Sequence, residues 1–133
     1  MGLAANPDFT LFALPEEHQA LREAVAQFAD EKVAPFAAEI DETGIFSREV
    51  YDSLVAADLH AIHIPEQFGG QGGDALAACL VIEELSRACA STGLLPAVNK
   101  LGTLPLMIAA DDDLLQRYLP QVASGEAMFS YAL

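Results

Sequence analysis

Basic residues are scarce in this chain of 133 residues. It has 6 Lys and Arg against 20 Asp and Glu, which gives a formal net charge of −14 at pH 7. The six cations also occur singly along the sequence. Binding to a nucleic acid or to an anionic membrane surface requires clustered cations. The composition therefore predicts no nucleic-acid partner and no electrostatic attachment to a membrane.

Cysteines are few, and no apolar run is long and clean enough to cross a membrane. Cys79 and Cys89 lie in one predicted helix, roughly 15 Å apart at ~1.5 Å per residue, which is too far for a disulfide. The longest apolar stretch, residues 93–110, contains Asn99, Lys100 and two prolines, so we reject a transmembrane span. The N-terminus has no basic segment followed by an apolar one, as a signal peptide would. We expect a cytoplasmic protein.

Helix-forming residues dominate what is present. Ala and Leu occur 24 and 18 times, whereas Val, Ile and Thr together occur 17 times, which favours helix over sheet. The hydrophobic fraction of 53% is too high for a disordered acidic segment. The sequence predicts an all-α domain, an orthogonal or up-down bundle of about five to six helices.

Capping residues and prolines place the individual helices. The first helix should be kinked or broken at Pro35, which lacks a backbone donor, and should stop at Gly44. Ser47 and Asp74 are predicted N-caps of the second and third helices. Asp111 opens the last helix, where acidic residues suit the helix dipole.

Apolar periodicity predicts how these helices pack. Residues 75–82 are apolar on every side, so the third helix should be central in the bundle. Glu83 and Arg87 at its end should form a weak surface pair. Residues 60–65 alternate loosely and are predicted to be extended, and residues 91–110 should form one or two buried helices.

The chain ends on Met-Phe-Ser-Tyr-Ala-Leu, residues 128–133, which predicts a β-strand. No second strand is predicted elsewhere, and an unpaired apolar strand at a free terminus promotes aggregation. We therefore expect that the natural chain continues beyond these residues.

Few residues of this sequence predict a metal, phosphate or catalytic site by themselves. His60 and His63 are too few for a zinc site, which needs three or four convergent ligands, so packing or solvent-facing histidines are the preferred interpretation. The glycine-rich segment 68–73 lacks the pattern of a phosphate loop and is interpreted as a tight turn. Glu83 and Glu84 are the best candidates for a catalytic carboxylate, although a surface or packing role is favoured. We predict no metal site and no catalytic residue in this chain.

Residues 93–110 combine small and apolar side chains. Such a segment can line a slot for an apolar ligand, and the alternative is an ordinary core helix. Composition by itself favours the core helix.

Several segments, in order and with their spacing kept, resemble the N-terminal helical domain of the acyl-CoA dehydrogenase family. The segments are LPEEHQALREAVAQFADEKVAPFAAEIDETG (14–44), HIPEQFGGQGGDALAACLVIEELSRACAS (63–91), NKLGTLPLMI (99–108), RYLPQVASGE (117–126) and MFSYAL (128–133). The resemblance implies a tail over residues 1–13, the helical domain over 14–127 and the start of a middle β-domain at 128–133.

The resemblance implies α,β-dehydrogenation of an acyl-CoA thioester in fatty-acid or branched-chain oxidation. In this oxidoreductase reaction a glutamate takes the α-proton, and the β-hydride passes to FAD. Electrons then leave to an electron-transfer flavoprotein. It also implies that the catalytic base, most of the FAD site and the subunit contacts of a homotetramer belong to middle and C-terminal domains that are missing here. The isolated chain should then be inactive and should self-associate.

The resemblance also assigns roles to residues of this chain. Tyr131 and Leu133 match flavin-contacting positions. Five residues match the helix that bounds the fatty acyl tail: Leu94, Leu95, Ala97, Val98 and Leu101. Two alternatives remain open, a non-catalytic helical interaction module and a flavin oxidase or monooxygenase of the same superfamily.

Overall fold

The computed structural model describes residues 13–132, which fold into six α-helices. The helices are α1 (Glu16–Phe28), α2 (Ala34–Thr43), α3 (Arg48–Ala56), α4 (Ala75–Ala88), α5 (Ala90–Ala109) and α6 (Asp112–Ala123). No β-strand occurs among residues 13–132. The predicted all-α bundle is confirmed. Residues 1–12 of the predicted tail lie outside the described residues.

The first two helices form one continuous rod. A single π-helical turn, Ala29–Val33, joins α1 to α2. A kink or a break was predicted at Pro35; the helix does not break there, and its departure from α-helical geometry is the π-turn that ends two residues before Pro35. Proline has no backbone N–H and so removes one helical hydrogen bond inside the rod, and a single turn is the usual form of a π-helix within an α-helix. The rod ends at Gly44 with φ of 65°, as predicted.

The helix starts follow from capping chemistry. The side chains of Ser47, Asp74 and Asp111 accept hydrogen bonds from backbone N–H groups of α3, α4 and α6. Each bond satisfies a donor that a helix start leaves without a partner. The three predicted helix starts are confirmed.

The main hydrophobic core lies around α4. One side of α4 packs on α1 and the π-turn, and another packs on α5. Val81 and Leu85 of α4 are fully buried in this core, beside Val25 and Val33 of the rod and Leu54 of α3. The predicted central position of α4 is confirmed.

A smaller core joins α6 to the segment between α3 and α4. Ile64 and Phe68 pack there against Leu119 and Val122. Residues 60–63 form turns rather than the predicted extended segment. Both His60 and His63 are buried, because the turn folds them under α5 and α6 instead of alternating them between two faces.

Helix α5 departs most from its predicted environment. It is continuous from residue 90 to 109, with Pro96 and Pro105 inside it. Only one face is buried, and it carries Thr92, Asn99 and Thr103. The prediction of one or two helices over residues 91–110 is confirmed by a single helix, but their predicted burial is wrong, because one face exposes Leu94, Leu101, Leu104 and Ile108.

The C-terminal segment packs on α5 and α6 without forming the predicted strand. Residues 128–132 have no regular secondary structure. A β-strand requires a second strand as hydrogen-bonding partner, and residues 13–132 supply none. The Phe129 ring meets Tyr118 edge to face with ring centroids 6.1 Å apart. Among the described residues, no helix is long and apolar enough to cross a membrane.

Candidate functional site

The exposed face of α5 is aliphatic, which reverses the usual polarity of a surface helix. Leu94, Leu101, Leu104 and Ile108 expose between 40% and 76% of their surface. Their spacings of seven, three and four residues place them on one side of the helix. An exposed apolar stripe of this kind marks a surface that binds an apolar ligand or another protein.

A pocket of about 330 Å³ opens beside this stripe, and Leu94 is the one stripe residue that lines it. We call it the α5 pocket. Its size lies at the lower end of the roughly 300–1,000 Å³ common for small-molecule sites. Its lining comes from α5, from the loop after α2 and from the C-terminal segment: Phe46, Leu94, Leu95, Val98, Asn99, Met128, Phe129 and Ser130. No lining residue is charged, so the pocket suits an apolar chain.

Three of the five residues matched to the acyl tail line this pocket. Leu94, Leu95 and Val98 are brought together there. Ala97 and Leu101 lie on the same helix but outside the lining, on the exposed stripe and its flank. The structure thus places all five on one helix and joins three of them in one cavity.

Asn99 connects the pocket to the C-terminal segment. Its side chain is 1% exposed, and its Oδ1 accepts a hydrogen bond from the Phe129 backbone N–H at 3.0 Å. Its Nδ2 donates to the His60 carbonyl oxygen at 3.1 Å. One amide therefore fixes the segment leading to Tyr131 relative to α5. Hydrogen bonds made by a fully buried amide are costly to lose.

A second buried contact of the same helix involves His63. The Thr103 hydroxyl donates to the Asn99 carbonyl oxygen at 2.7 Å, so it accepts from His63 Nε2–H at 2.7 Å. Burial lowers the pKa of His63 to about 4, with Lys100 and His60 adding to the shift. His63 is therefore neutral at pH 7 and acts as a packing residue.

The candidate carboxylates at the end of α4 differ sharply. Glu84 is buried, and its two oxygens accept from Arg22 Nε and Arg87 Nε, each at 2.8 Å. These two hydrogen bonds hold the pKa of Glu84 below its usual value. A carboxylate held in this way is a poor general base. Glu84 therefore fastens α1 to α4, as its favoured packing role predicted.

The predicted pairing of Glu83 with Arg87 is wrong. Arg87 instead bonds Glu84 and, at 2.9 Å, Asp30 of the π-turn, while Glu83 lies 3.7 Å from Arg22. Position 84 faces the core side of α4, where Arg87 can reach it, whereas Glu83 stays exposed.

The remaining motifs form no second site. Residues 13–132 contain no group of three or more metal-ligating side chains. In the glycine-rich segment, a Cβ at Gly70 would overlap the backbone of Ile64. Gly69 and Gly72 have φ values of 86° and 63°. This segment is a tight turn, as predicted.

The described residues fit one edge of a planar cofactor such as FAD. The Tyr131 ring is 44% exposed. The backbone groups of Ser130 and Tyr131 make no hydrogen bond within residues 13–132. An exposed aromatic ring and free backbone groups next to an apolar pocket suit the edge of a flavin ring. Leu133, the second predicted contact, lies outside the described residues.

Sequence reasoning missed several lining residues. Phe46 lies in the loop after α2, and Met128, Phe129 and Ser130 were assigned to a strand. Asn99 lies in the segment 93–110 but is not among the five residues matched to the acyl tail. No local pattern brings these positions together, because their contacts depend on how α5, the loop and the C-terminal segment pack.

Comparisons with known proteins agree with this architecture. The family model described as acyl-CoA dehydrogenase, N-terminal domain, matches residues 15–126. A probable acyl-CoA dehydrogenase, FadE25 of Mycobacterium tuberculosis, is 48% identical over 133 residues, which are 100% of this chain and 34% of that protein. This chain thus spans about a third of the length of the curated relatives it matches.

Solved structures give the same result. The butyryl-CoA dehydrogenase of Megasphaera elsdenii superposes with a TM-score of 0.78 at 25% identity, covering 88% of this chain and 32% of that one. A chain solved in work on the electron transferring flavoprotein of Acidaminococcus fermentans superposes with a TM-score of 0.81 at 32% identity. It covers 88% of this chain and 31% of that one.

Proposed function

Since the chain belongs to the acyl-CoA dehydrogenase family and matches its N-terminal domain, we propose that it forms one wall of the acyl pocket in a flavin-dependent acyl-CoA dehydrogenase. The reaction is the α,β-dehydrogenation of an acyl-CoA thioester. Residues 14–127 act as the helical domain, and residues 128–133 lead into a middle β-domain. The site of action is the cytoplasm.

The observation that carries this proposal is the reversed polarity of α5. Asn99 and Thr103 are buried in the bundle, while Leu94 and Val98 line an open pocket without charges. If α5 served only the stability of the domain, burying its leucines instead of its polar residues would make the fold more stable. The arrangement instead supports a surface that receives an apolar chain.

This wall contributes positioning and exclusion of water. The leucine and valine side chains bind the methylene groups of the acyl tail, each buried methylene contributing about 0.8 kcal/mol. Binding energy from this remote part of the substrate holds the reacting carbons in place. FAD, when bound, supplies the acceptor for the hydride. Tyr131, and Leu133 by its position in the sequence, would contact its ring.

The proton-abstracting base comes from elsewhere in the enzyme. Glu84 is paired with two arginines, and Glu83 is exposed. The base, the remaining flavin contacts and the groups that bind the CoA phosphates are proposed to come from the middle and C-terminal domains. An electron-transfer flavoprotein would reoxidise the flavin, and the full-length enzyme would be a homotetramer.

The test uses the full-length enzyme and a series of acyl-CoA thioesters from butyryl to palmitoyl. Ala97→Phe adds a ring to the stripe side of α5, one helical turn from both Leu94 and Leu101. We expect the preference to move to shorter chains, with the ratio of kcat/KM for long over short substrates falling about tenfold, which corresponds to about two methylene groups.

Ala109→Phe is the matched control, because it makes the same change at the far end of α5, away from the five residues matched to the acyl tail. This variant should leave the dependence of kcat/KM on acyl chain length unchanged. Failure of the wild-type enzyme to oxidise any acyl-CoA with an electron-transfer flavoprotein would contradict the proposed reaction. If Ala97→Phe left the dependence of kcat/KM on chain length unchanged, that result would contradict the proposal that α5 forms a wall of the acyl pocket.

A further inference from the structure

Asn99 and Gly102 of α5 hold the segment that leads to Tyr131, the position matched to a flavin contact. They lie three residues apart and therefore share one side of the helix. At about 3.6 residues per turn, this side points roughly a third to a half of a turn away from the middle of the exposed stripe. The stripe and the contact with the C-terminal segment thus occupy different sides of the same helix.

Asn99 joins three parts of the fold through one amide. Its Oδ1 accepts from the Phe129 N–H at 3.0 Å, and its Nδ2 donates to the His60 carbonyl oxygen at 3.1 Å. His60 Nε2 in turn donates to the Val122 carbonyl oxygen at 2.9 Å, which ties the turn at residues 60–63 to α6. An uncharged amide satisfies both backbone partners of Asn99, whereas an aliphatic side chain of the same size satisfies neither.

Gly102 lets the C-terminal segment come into contact with α5. A Cβ at this position would lie 2.6 Å from Phe129 Cβ and 3.3 Å from the Ser130 carbonyl oxygen. Glycine inside a helix lowers helix stability relative to alanine. The close approach of the segment therefore accounts for a glycine at this position.

The segment has no further backbone hydrogen bond between this contact and Tyr131. Phe129 N–H is the last backbone group before Tyr131 that is hydrogen-bonded within the described part of the chain. The carbonyl group that faces Gly102 belongs to Ser130, the next residue. The position of the Tyr131 backbone relative to α5 therefore depends on Asn99 and Gly102.

We propose that Asn99 and Gly102 are positioning residues for the flavin. They set the distance between α5, which forms the proposed acyl wall, and the backbone at residues 130–131, which would meet the flavin edge. The inference rests on the proposed function and adds the two residues that keep the substrate wall and the cofactor edge at a fixed separation. Reaction rates fall steeply when reacting groups are slightly displaced, so this contact should affect turnover without touching the reacting atoms.

The first experiment compares Asn99→Leu with the wild-type full-length enzyme, because leucine has a similar volume and no polar side-chain atom. It measures the Kd of the apoenzyme for FAD, the visible absorption maximum of bound FAD, and kcat and KM with the acyl-CoA that the wild type oxidises best. We expect the Kd for FAD to rise about tenfold, as the loss of a buried hydrogen bond allows, and the absorption maximum to shift. The value of kcat should fall about tenfold while KM changes less than about twofold, because the exposed stripe is left intact.

Gly102→Ala tests the same contact without removing a hydrogen-bonding group. The added methyl group should displace the segment and change the Kd for FAD and kcat in the same direction as Asn99→Leu does. In a Phe129→Gly background, Gly102→Ala should have a smaller effect, because the Phe129 Cβ that the methyl group meets is gone.

Thr103→Val is the matched control for a loss of packing. It removes a buried hydroxyl of α5 that bonds His63 and the Asn99 carbonyl oxygen, and this hydroxyl makes no hydrogen bond to residues 128–132. The variant should be less stable, but it should keep the wild-type Kd for FAD and the wild-type absorption maximum.

Amide hydrogen exchange, followed by NMR in the chain of 133 residues, tests the contact without any cofactor. In the wild type, the Phe129 N–H should exchange more slowly than the N–H groups of Ser130 and Tyr131. Asn99→Leu should remove this difference, and Thr103→Val should keep it.

The outcomes separate the inference from the function on which it rests. Unchanged FAD affinity, absorption and kcat in Asn99→Leu would overturn the positioning role and leave the proposed function intact. Equal changes in Thr103→Val would show a general loss of packing and would also overturn it. If Asn99→Leu does not fold, the comparison of Gly102→Ala with and without Phe129→Gly decides, and equal effects in both backgrounds would count against the contact. A wild-type enzyme that binds no FAD or oxidises no acyl-CoA would contradict the proposed function itself, and the inference would fall with it.

Discussion

At the scale of single residues, the most informative side chain is Glu84. It is 5% exposed, yet both of its oxygens are bonded to arginines that keep about half of their own surface in water. A buried carboxylate is tolerated only when it is paired and hydrogen-bonded. Arg87 also donates to the Ala26 carbonyl oxygen at 3.3 Å, so the cluster connects α1, the π-turn and α4.

Glu84→Gln should lower the free energy of unfolding by about 2 kcal/mol, because two charge-assisted hydrogen bonds lose their acceptor charge. Glu83→Gln is the adjacent control, and it should cost under about 0.5 kcal/mol as an exposed pair. Urea denaturation of the 133-residue chain at pH 7 measures both. Equal effects of the two substitutions would contradict the role given to Glu84.

His63 should make stability depend on pH in the acidic range. Its pKa is about 4 when folded, below the ordinary value of about 6.5, so the unfolded chain binds a proton that the folded chain does not. Stability is therefore full above about pH 6.5 and falls as the pH drops towards 4. We expect a loss of about 2 kcal/mol between pH 7 and pH 5.

Urea denaturation across this pH range checks the prediction. His63→Gln keeps a hydrogen-bond donor for Thr103 but removes the titrating group, so most of this loss between pH 7 and pH 5 should disappear. The same slope in the variant as in the wild type would assign the effect to other groups.

At the scale of secondary-structure elements, the close approach of α4 and α5 depends on Gly93. A Cβ there would overlap the Ser86 hydroxyl and lie 3.0 Å from Ser86 Cα. In an isolated helix, replacing Gly with Ala is favourable by about 1 kcal/mol. Here the overlap with backbone should reverse the sign.

Gly93→Ala is expected to destabilise the chain by about 2 kcal/mol, since it forces two packed helices apart. In a Ser86→Gly background the same substitution should cost less, because the hydroxyl is gone while the backbone contact remains. A double-mutant cycle from denaturation curves measures this coupling. A stabilising Gly93→Ala would contradict the packing described.

The secondary-structure elements differ in how well the residues next to them in the sequence predict their conformation. Ser47, Asp74 and Asp111 mark helix starts by hydrogen bonds made within three residues, so their sequence pattern is sufficient. The turn at residues 60–63 depends on the helices α5 and α6 that pack over it, so its local pattern wrongly predicts an extended segment.

At the scale of the whole molecule, a large negative charge and an exposed apolar stripe oppose each other. The net charge of −14 repels a second copy, and the α5 stripe of Leu94, Leu101, Leu104 and Ile108 attracts one. Salt screens the repulsion and leaves the apolar attraction in place. The balance should therefore shift with ionic strength.

We expect the 133-residue chain to self-associate more strongly as salt is raised. Replacing both Leu101 and Ile108 with Glu should weaken this association, whereas Leu114→Glu on α6, also exposed, should have a smaller effect. Sedimentation velocity at low and high salt measures the change. Association that weakens with salt would show that charge pairs, not the stripe, drive it.

The sequence by itself determined the helical class, the capped helix starts and the turn at residues 69–73, because propensity, capping and glycine conformations act within a few residues. Its quoted segments also identified the family. Only the tertiary structure decided that α5 turns its polar residues inward, that Glu84 joins two arginines and that Asn99 holds the C-terminal segment against α5. These features arise from contacts between residues far apart in the chain. A local sequence pattern does not determine which distant residue a side chain will contact.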